Sequence, residues 1–227
     1  MLIAINYHYV RKSFDTPYPG IHGSTPNQLA EQLETLSRVG EFVSMRQILN
    51  AIEQQQPLPE RALIITLDDG LREQYETALP VFQKLGVPAI FFINTRPIEE
   101  GLVSAVHQIH LLRANMNPDL FAEGVKAKAL ERGIEIDDDA DADKATAHYK
   151  YDPPEIKRLK YLLNFTLNRQ QRDTIISEMF DEFFNHSEKE ISEELYMSRE
   201  QIAELGALEL IGNHAHEHLP LGLLDSE

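Results

Sequence analysis

Three histidines fall within five positions near the end of the chain, in LELIGNHAHEHLP (208–220): His214, His216 and His218. The sequence of 227 residues holds only nine, so the clustering points to a use for imidazole nitrogens. In an extended segment all three side chains share a face, whereas in a helical turn only His214 and His218 do, at i and i+4. The pair at spacing four stays together in either conformation, and the place of His216 depends on the backbone. Imidazole with carboxylate suits borderline divalent metals, zinc first among them. Cysteine is absent, so disulfides are excluded and any metal must rest on His, Asp or Glu.

The carboxylates lie far upstream. TLDDG (66–70) places Asp68 and Asp69 side by side after the apolar run ALIITL. Asp and Gly are favoured turn residues, and taken alone the stretch reads first as a strand-to-helix turn. Successive side chains of an extended segment point different ways, however. One carboxylate can then bind a metal while its neighbour faces a substrate as base. Two His and one Asp leave a coordination position open, a feature of catalytic rather than structural zinc sites.

Regular elements must bring these distant segments together. LIAIN (2–6) reads as a buried strand. In STPNQLAEQLETLSRVG, Thr25 can cap, Pro26 fits the first helical position, and Gln28 completes a capping box. Leu29, Leu33 and Leu36 form its apolar stripe and Gly40 its stop. EFVS (41–44) predicts a short strand, Ser44 caps a second helix, and RALIITL (61–67) predicts a buried parallel strand. A helix from Arg72 to Leu85, stopped by Gly86, precedes a fourth strand in VPAIFFIN (87–94). Ser198 and Gln201 form another capping box, and LELIG (208–212) is a fifth strand. This alternation predicts βαβ units and an α/β sheet or barrel, with functional groups at the carboxyl ends of strands.

Between 98 and 197 the pattern is helical, with no convincing strand. The predicted division is therefore a first part over 1–97, a helical insertion over 98–197, and a return to the α/β pattern over 198–227. Such an insertion is expected near the active face, as a lid or substrate wall. Within it Asp152 is the expected cap of a helix beginning at Pro153. Asp139, Asp141 and Asp143 have a D-x-D-x-D spacing, but Lys144 and Lys150 stand where an EF-hand loop needs Gly and Glu. A solvated acidic loop is expected there.

The net charge of −16 opposes binding to nucleic acid or anionic membranes and favours a neutral or cationic substrate. The apolar run at the amino terminus is too short for a signal sequence or a membrane span, so a cytoplasmic location is expected.

The two motifs together resemble the polysaccharide deacetylase family, the NodB-homology group of carbohydrate esterases. Its T-F-D-D-G is matched by Thr66-Leu67-Asp68-Asp69-Gly70, and its H-[S/T]-x-x-H by His214-Ala215-His216-Glu217-His218. ALPVFQKLGVPAIFFIN after the first motif, and SREQIAELG and LIGNH before the second, agree as well. The resemblance covers roughly residues 1–96 and 197–227. It implies a distorted TIM-like (β/α)7 barrel in which Asp69, His214 and His218 hold a divalent metal and Asp68 is the base. Zinc is the first choice, and cobalt, nickel or manganese also suit such a donor set. The implied reaction removes an N-acetyl group from an amino sugar or saccharide by metal-activated water.

His8, in NYHYV, matches a Tyr-His common in the wider family. With Asn213 and His216 it is a candidate for touching substrate or supporting the ligands. His107 and His110, three apart on a predicted helix, are expected to pack or face solvent. The chain departs from the family pattern at Leu67, which replaces Phe, and at Ala215, which replaces Ser or Thr. The family's downstream R-x-P-[F/Y] and L-x-H elements do not follow His218, and TRPI (95–98) falls in the wrong order and reads as a loop. The expectation is an incomplete barrel, an amino-terminal portion of a longer protein. Two other readings are an amidohydrolase-type site using His214 and His216 as its metal pair, and a catalytically incomplete domain that binds saccharide or metal.

Overall fold

The computed structural model describes residues 1–15, 21–185 and 187–218, with the side chains of 138–140 left aside. Its described residues form two compact units. One comprises 1–15, 21–104 and 189–218, and the other 105–185 with 187 and 188.

The first unit is built on five parallel strands: β1 (Leu2–Tyr7), β2 (Glu41–Phe42), β3 (Ala62–Leu67), β4 (Ala89–Ile93) and β5 (Ile211–Asn213). The order is β1-β3-β4-β5, with β2 pairing on β3. All pairings are parallel, so every carboxyl end lies on one side of the sheet. This is the α/β architecture the alternation predicts. Among the described residues the sheet is open, with β1 and β5 at its edges, and no barrel closes.

β3 and β4 are buried on both faces, which explains their unbroken apolar runs. On one face Ile65, Leu67, Phe91 and Ile93 join Leu29 and Leu33 of α1 (Pro26–Leu36), Phe82 of α3 (Leu79–Leu85) and Leu205. On the other, Ala62, Ile64 and Ile90 join Val43, with Met45 and Ile48 of α2 (Met45–Glu53) packed against them. β1 departs from its expected burial. Leu2 and Ile3 are 46% and 40% exposed, because the strand pairs only with β3.

Local signals place the helix starts. Thr25 with Gln28, Ser44 with Gln47, and Ser198 with Gln201 all form reciprocal capping boxes, and α11 (Arg199–Ala207) begins at the last of these. Between β3 and β4 the helix widens into a π-helical turn over Gln74–Ala78 ahead of α3. Pro80 lacks the N–H that an α-helix would need at that point, and its ring crowds the preceding turn. Residues 95–98 are not a loop: α4 (Arg96–Glu100) starts there, with Pro97 buried in its first turn. β5 lies slightly later than LELIG predicts, since Glu209 takes a positive φ of 56° and turns the chain before Ile211.

The second unit is helical: α5 (Ala105–Asn115), α6 (Pro118–Glu131), α7 (Asp138–His148), α8 (Pro154–Tyr161) and α9 (Arg169–Phe183). Leu111, Leu112, Phe121, Val125, Ile175, Ile176 and Phe180 form its buried interior. The acidic run is helix α7 rather than a loop; Ala145 on its inner side is buried. Asp139 of the D-x-D-x-D run falls where side chains are not described. The α8 cap also differs from expectation, because Pro153 is the cap and Asp152 pairs with Lys160 at 2.7 Å. α10 (Glu188–Leu195) leads the chain back towards α11.

Candidate metal centre

Each element of the site ends a strand on the carboxyl side of the sheet. Asp68 and Asp69 follow β3, and His214 follows β5. Asp69 takes φ 82° and Gly70 φ 66°, so the chain turns abruptly as it leaves the strand. A left-handed aspartate costs about 1–3 kcal/mol, tolerated where surrounding structure enforces it. Here Met197 donates its N–H to the Gly70 carbonyl at 2.9 Å, and Leu71 bridges to Tyr196.

The histidine loop is pinned to the end of β4. His214 N–H donates to the Ile93 carbonyl at 3.0 Å, and the buried Asn94 donates its side-chain amide to the His214 carbonyl at 3.2 Å. Thr95 and Arg96 continue this pairing to the carbonyls of Ala215 and His216. Asn213 does not reach outward; its Oδ1 accepts the Ala215 N–H at 2.7 Å and tightens the loop from within. Positive φ at Ala215 (62°) and His218 (58°) breaks the extended run. His214 and His218 therefore turn together, with ring centroids 4.8 Å apart.

Asp69, His214 and His218 are brought to one point. His218 Nε2 lies 3.0 Å from Asp69 Oδ1, and His214 Nε2 lies 3.6 Å from the same oxygen. All three donor atoms lie within 4.8 Å of one another. Ligand atoms ~2.0–2.2 Å from a tetrahedral zinc stand roughly 3.4 Å apart, and the two separations straddle that distance. Asp69 is 3% exposed, which leaves its charge dependent on cationic neighbours. The donor set and spacing fit a divalent ion. The hydrogen bond that His218 donates to Asp69 raises its imidazole pKa above the ordinary 6.5, against an opposing effect of burial.

His216 faces elsewhere. Its Nδ1 is 2.9 Å from Thr95 Oγ1 and its Nε2 3.4 Å from Glu100 on α4. Arg96 bonds Glu100 at 3.0 Å and holds that carboxyl below its usual range, with His216 contributing. Arg96 also approaches Glu217 at 3.7 Å.

Asp68 stands beside the cluster without joining it. Its Oδ2 accepts a hydrogen bond from Asn6 Nδ2 at 2.7 Å and lies 3.8 Å from His8 Nε2, beyond hydrogen-bond length. His8 is thus next to the second carboxylate. His107 and His110 belong to α5 of the helical unit, where His107 is 1% exposed.

Sequence reasoning missed Asn6, Gln74, Asn94 and Thr95. The fully buried Gln74 donates to the backbone carbonyls of His8 and Asp68, tying the ends of β1 and β3 together. An asparagine inside the apolar run LIAIN was the available signal for Asn6. The amides at 74 and 94 become legible only with the strand ends in place.

The polysaccharide deacetylase family model matches residues 55–140. Over 91 residues the chain is 33% identical to the poly-beta-1,6-N-acetyl-D-glucosamine N-deacetylases of Escherichia coli strains K12 and O157:H7. That alignment takes in 39% of this chain, and the chain spans only 13% of the length of those relatives. Among solved structures it is similar to IcaB from Ammonifex degensii, with 27% identity and a TM-score of 0.37 over 43% of this chain and 40% of that one. It is also similar to a Streptococcus pyogenes deacetylase determined with acetate, with 15% identity and a TM-score of 0.37 over 74% and 82% of the two chains. Among the described residues no helix is long and apolar enough to cross a membrane.

Proposed function

We propose that the chain is a metal-dependent hydrolase that removes N-acetyl groups from an amino-sugar polymer or oligosaccharide. The observation that carries this reading is the division of labour between neighbouring aspartates. Asp69 is buried against two imidazoles, while Asp68 is turned aside and held by an amide. Asp69, His214 and His218 would hold the ion, with zinc favoured by two nitrogens and one oxygen and cobalt, nickel or manganese also acceptable. When bound, such an ion supplies Lewis acidity for activating water and polarising the acetyl carbonyl.

The chain's own residues account for the remaining steps. Asp68, outside the cluster, takes the proton of the attacking water. The water oxygen bonds to the acetyl carbon, the amide C–N bond breaks, acetate leaves, and the sugar nitrogen departs as an amine with the proton that Asp68 took up. His8, beside Asp68, would touch the sugar, whereas His216 is turned to Thr95 and Glu100. The helical unit is read as an insertion between β4 and β5, and the net charge of −16 disfavours polyanionic partners.

The substrate to test first is a β-1,6-linked N-acetylglucosamine oligomer, after the named activity of the Escherichia coli relatives. The experiment follows acetate release by the zinc-loaded chain together with zinc titrations. Asp69→Ala, His214→Ala and His218→Ala should each abolish tight zinc binding and turnover. Asp68→Asn should keep zinc and lose roughly 100- to 10,000-fold in rate. His216→Ala should bind zinc as the parent does. Zinc affinity that depends on His216 instead of His218 would favour an amidohydrolase-type site, and saccharide binding with no acetate released would leave a binding domain.

A further inference from the structure

We infer that Asn6 is the positioning residue of the base, orienting Asp68 from the first strand through an amide that Thr66 braces. This rests on the deacetylase reading of Asp68.

The parallel register of β1 and β3 sets Asn6 directly opposite Thr66. Asp68 lies two positions beyond Thr66, so Thr66 and Asp68 share a face where the strand remains extended. Three polar side chains then meet in a row. Thr66 Oγ1 donates to Asn6 Oδ1 at 3.0 Å, and Asn6 Nδ2 donates to Asp68 Oδ2 at 2.7 Å.

The chemistry of the three groups allows only this direction. An ionised carboxylate accepts and cannot donate, so the amide must present nitrogen to Asp68. Its oxygen then faces Thr66, whose hydroxyl can donate. A reversed amide would set oxygen against carboxylate and lose the bond to Asp68, while the Thr66 hydroxyl, which donates or accepts, would bond either end of the amide. Among the described residues Asn6 makes the one side-chain hydrogen bond to the Asp68 carboxylate, since His8 Nε2 is 3.8 Å away.

The effect on Asp68 is geometric. One of its oxygens is tied towards β1, which leaves the other to act as the base. A base displaced by about 1 Å can cost on the order of a hundredfold in rate.

Two substitutions that keep the branched outline of the side chain test this in the whole chain loaded with zinc. Asn6→Leu and Asn6→Asp both remove the N–H donor, and only the second adds a charge. Both should lower kcat by roughly 10- to 100-fold on the β-1,6-linked oligomer. KM and zinc affinity should stay within about twofold, since Asn6 touches neither the cluster nor its loop. Thr66→Val should lose less, because it only frees the amide to turn. An Asn6→Leu enzyme with parental kcat would overturn the assignment, because space-filling would then be all that Asn6 does.

A readout without turnover separates this inference from the function itself. In thermal unfolding of Asn6→Leu, Asp68→Ala and the double variant, the double variant should lose less than the sum of the singles. Additive shifts would refute the contact even if the enzyme were active. Non-additive shifts in a chain that releases no acetate would retain the tether and refute the deacetylase reading.

Discussion

Asp68 and Asp69 are adjacent, yet the backbone gives them different chemistry. A positive φ at Asp69 swings its carboxylate into the fold beside two imidazoles, while Asp68, still extended, meets Asn6. His214 and His218 are separated from His216 in the same way, by the left-handed turns at Ala215 and His218. Proton competition follows from this geometry. Asp69 raises the His218 pKa, so the metal-free protein holds that proton to higher pH than a free imidazole. The bond's contribution to metal-free stability is therefore complete below the unfolded value of 6.5 and is lost as pH rises through the raised folded value. Zinc needs the neutral ring, so the sign for binding is opposite: affinity falls as pH is lowered, beginning above 6.5. Calorimetric titrations in buffers of different ionisation heat should detect proton release on zinc binding at pH 7. Affinity that is flat down to pH 6 would contradict the coupling. The spacing of the histidines showed which two stay together; which way His216 turns was not legible, because it hinges on φ at an alanine.

Among the elements, β5 is the shortest segment that positions the site, and its fit depends on one close approach. Gly212 sits opposite Phe92 in the β4–β5 register, and a Cβ there would come within 2.4 Å of the Phe92 ring. Gly212→Ala should therefore cost about 1–3 kcal/mol in urea unfolding. It should also weaken zinc binding, since His214 follows two residues later on the same strand end. Unchanged stability together with unchanged zinc affinity would show that the ring yields freely. Ser198→Ala, which removes the α11 cap bond to Gln201, should cost about 1 kcal/mol and leave zinc affinity alone. Caps such as Thr25, Ser44 and Ser198 were readable because a capping box is complete within four residues. Burial of β1 was not readable, since LIAIN specifies an apolar strand and only the sheet decides whether a neighbour covers it. The π-helical turn before Pro80, the helix in the acidic run and the start of α4 at TRPI were missed for a related reason. Each depends on how a segment docks, which local propensity does not encode.

At the scale of the whole molecule, the matched family segment, residues 55–140, contains Asp68 and Asp69 but neither of the two histidines. The histidines come from the chain's return to the sheet after the helical unit, and parallel pairing of β5 on β4 returns them to the same end as β3. A bound ion would join residues 69, 214 and 218, and so fasten the edge strand β5 to the centre of the sheet. Ligand binding of this kind raises thermal stability by mass action, with no gain expected in Asp69→Ala. The most direct measurement is anomalous diffraction at the zinc edge from crystals of the full chain grown with zinc. The account predicts one ion ~2.0–2.2 Å from an Asp69 oxygen and from His214 and His218 Nε2, with an open position towards Asp68. An ion held by His216 and Glu100 in place of Asp69 and His218, or none at this end of the sheet at saturating zinc, would contradict it.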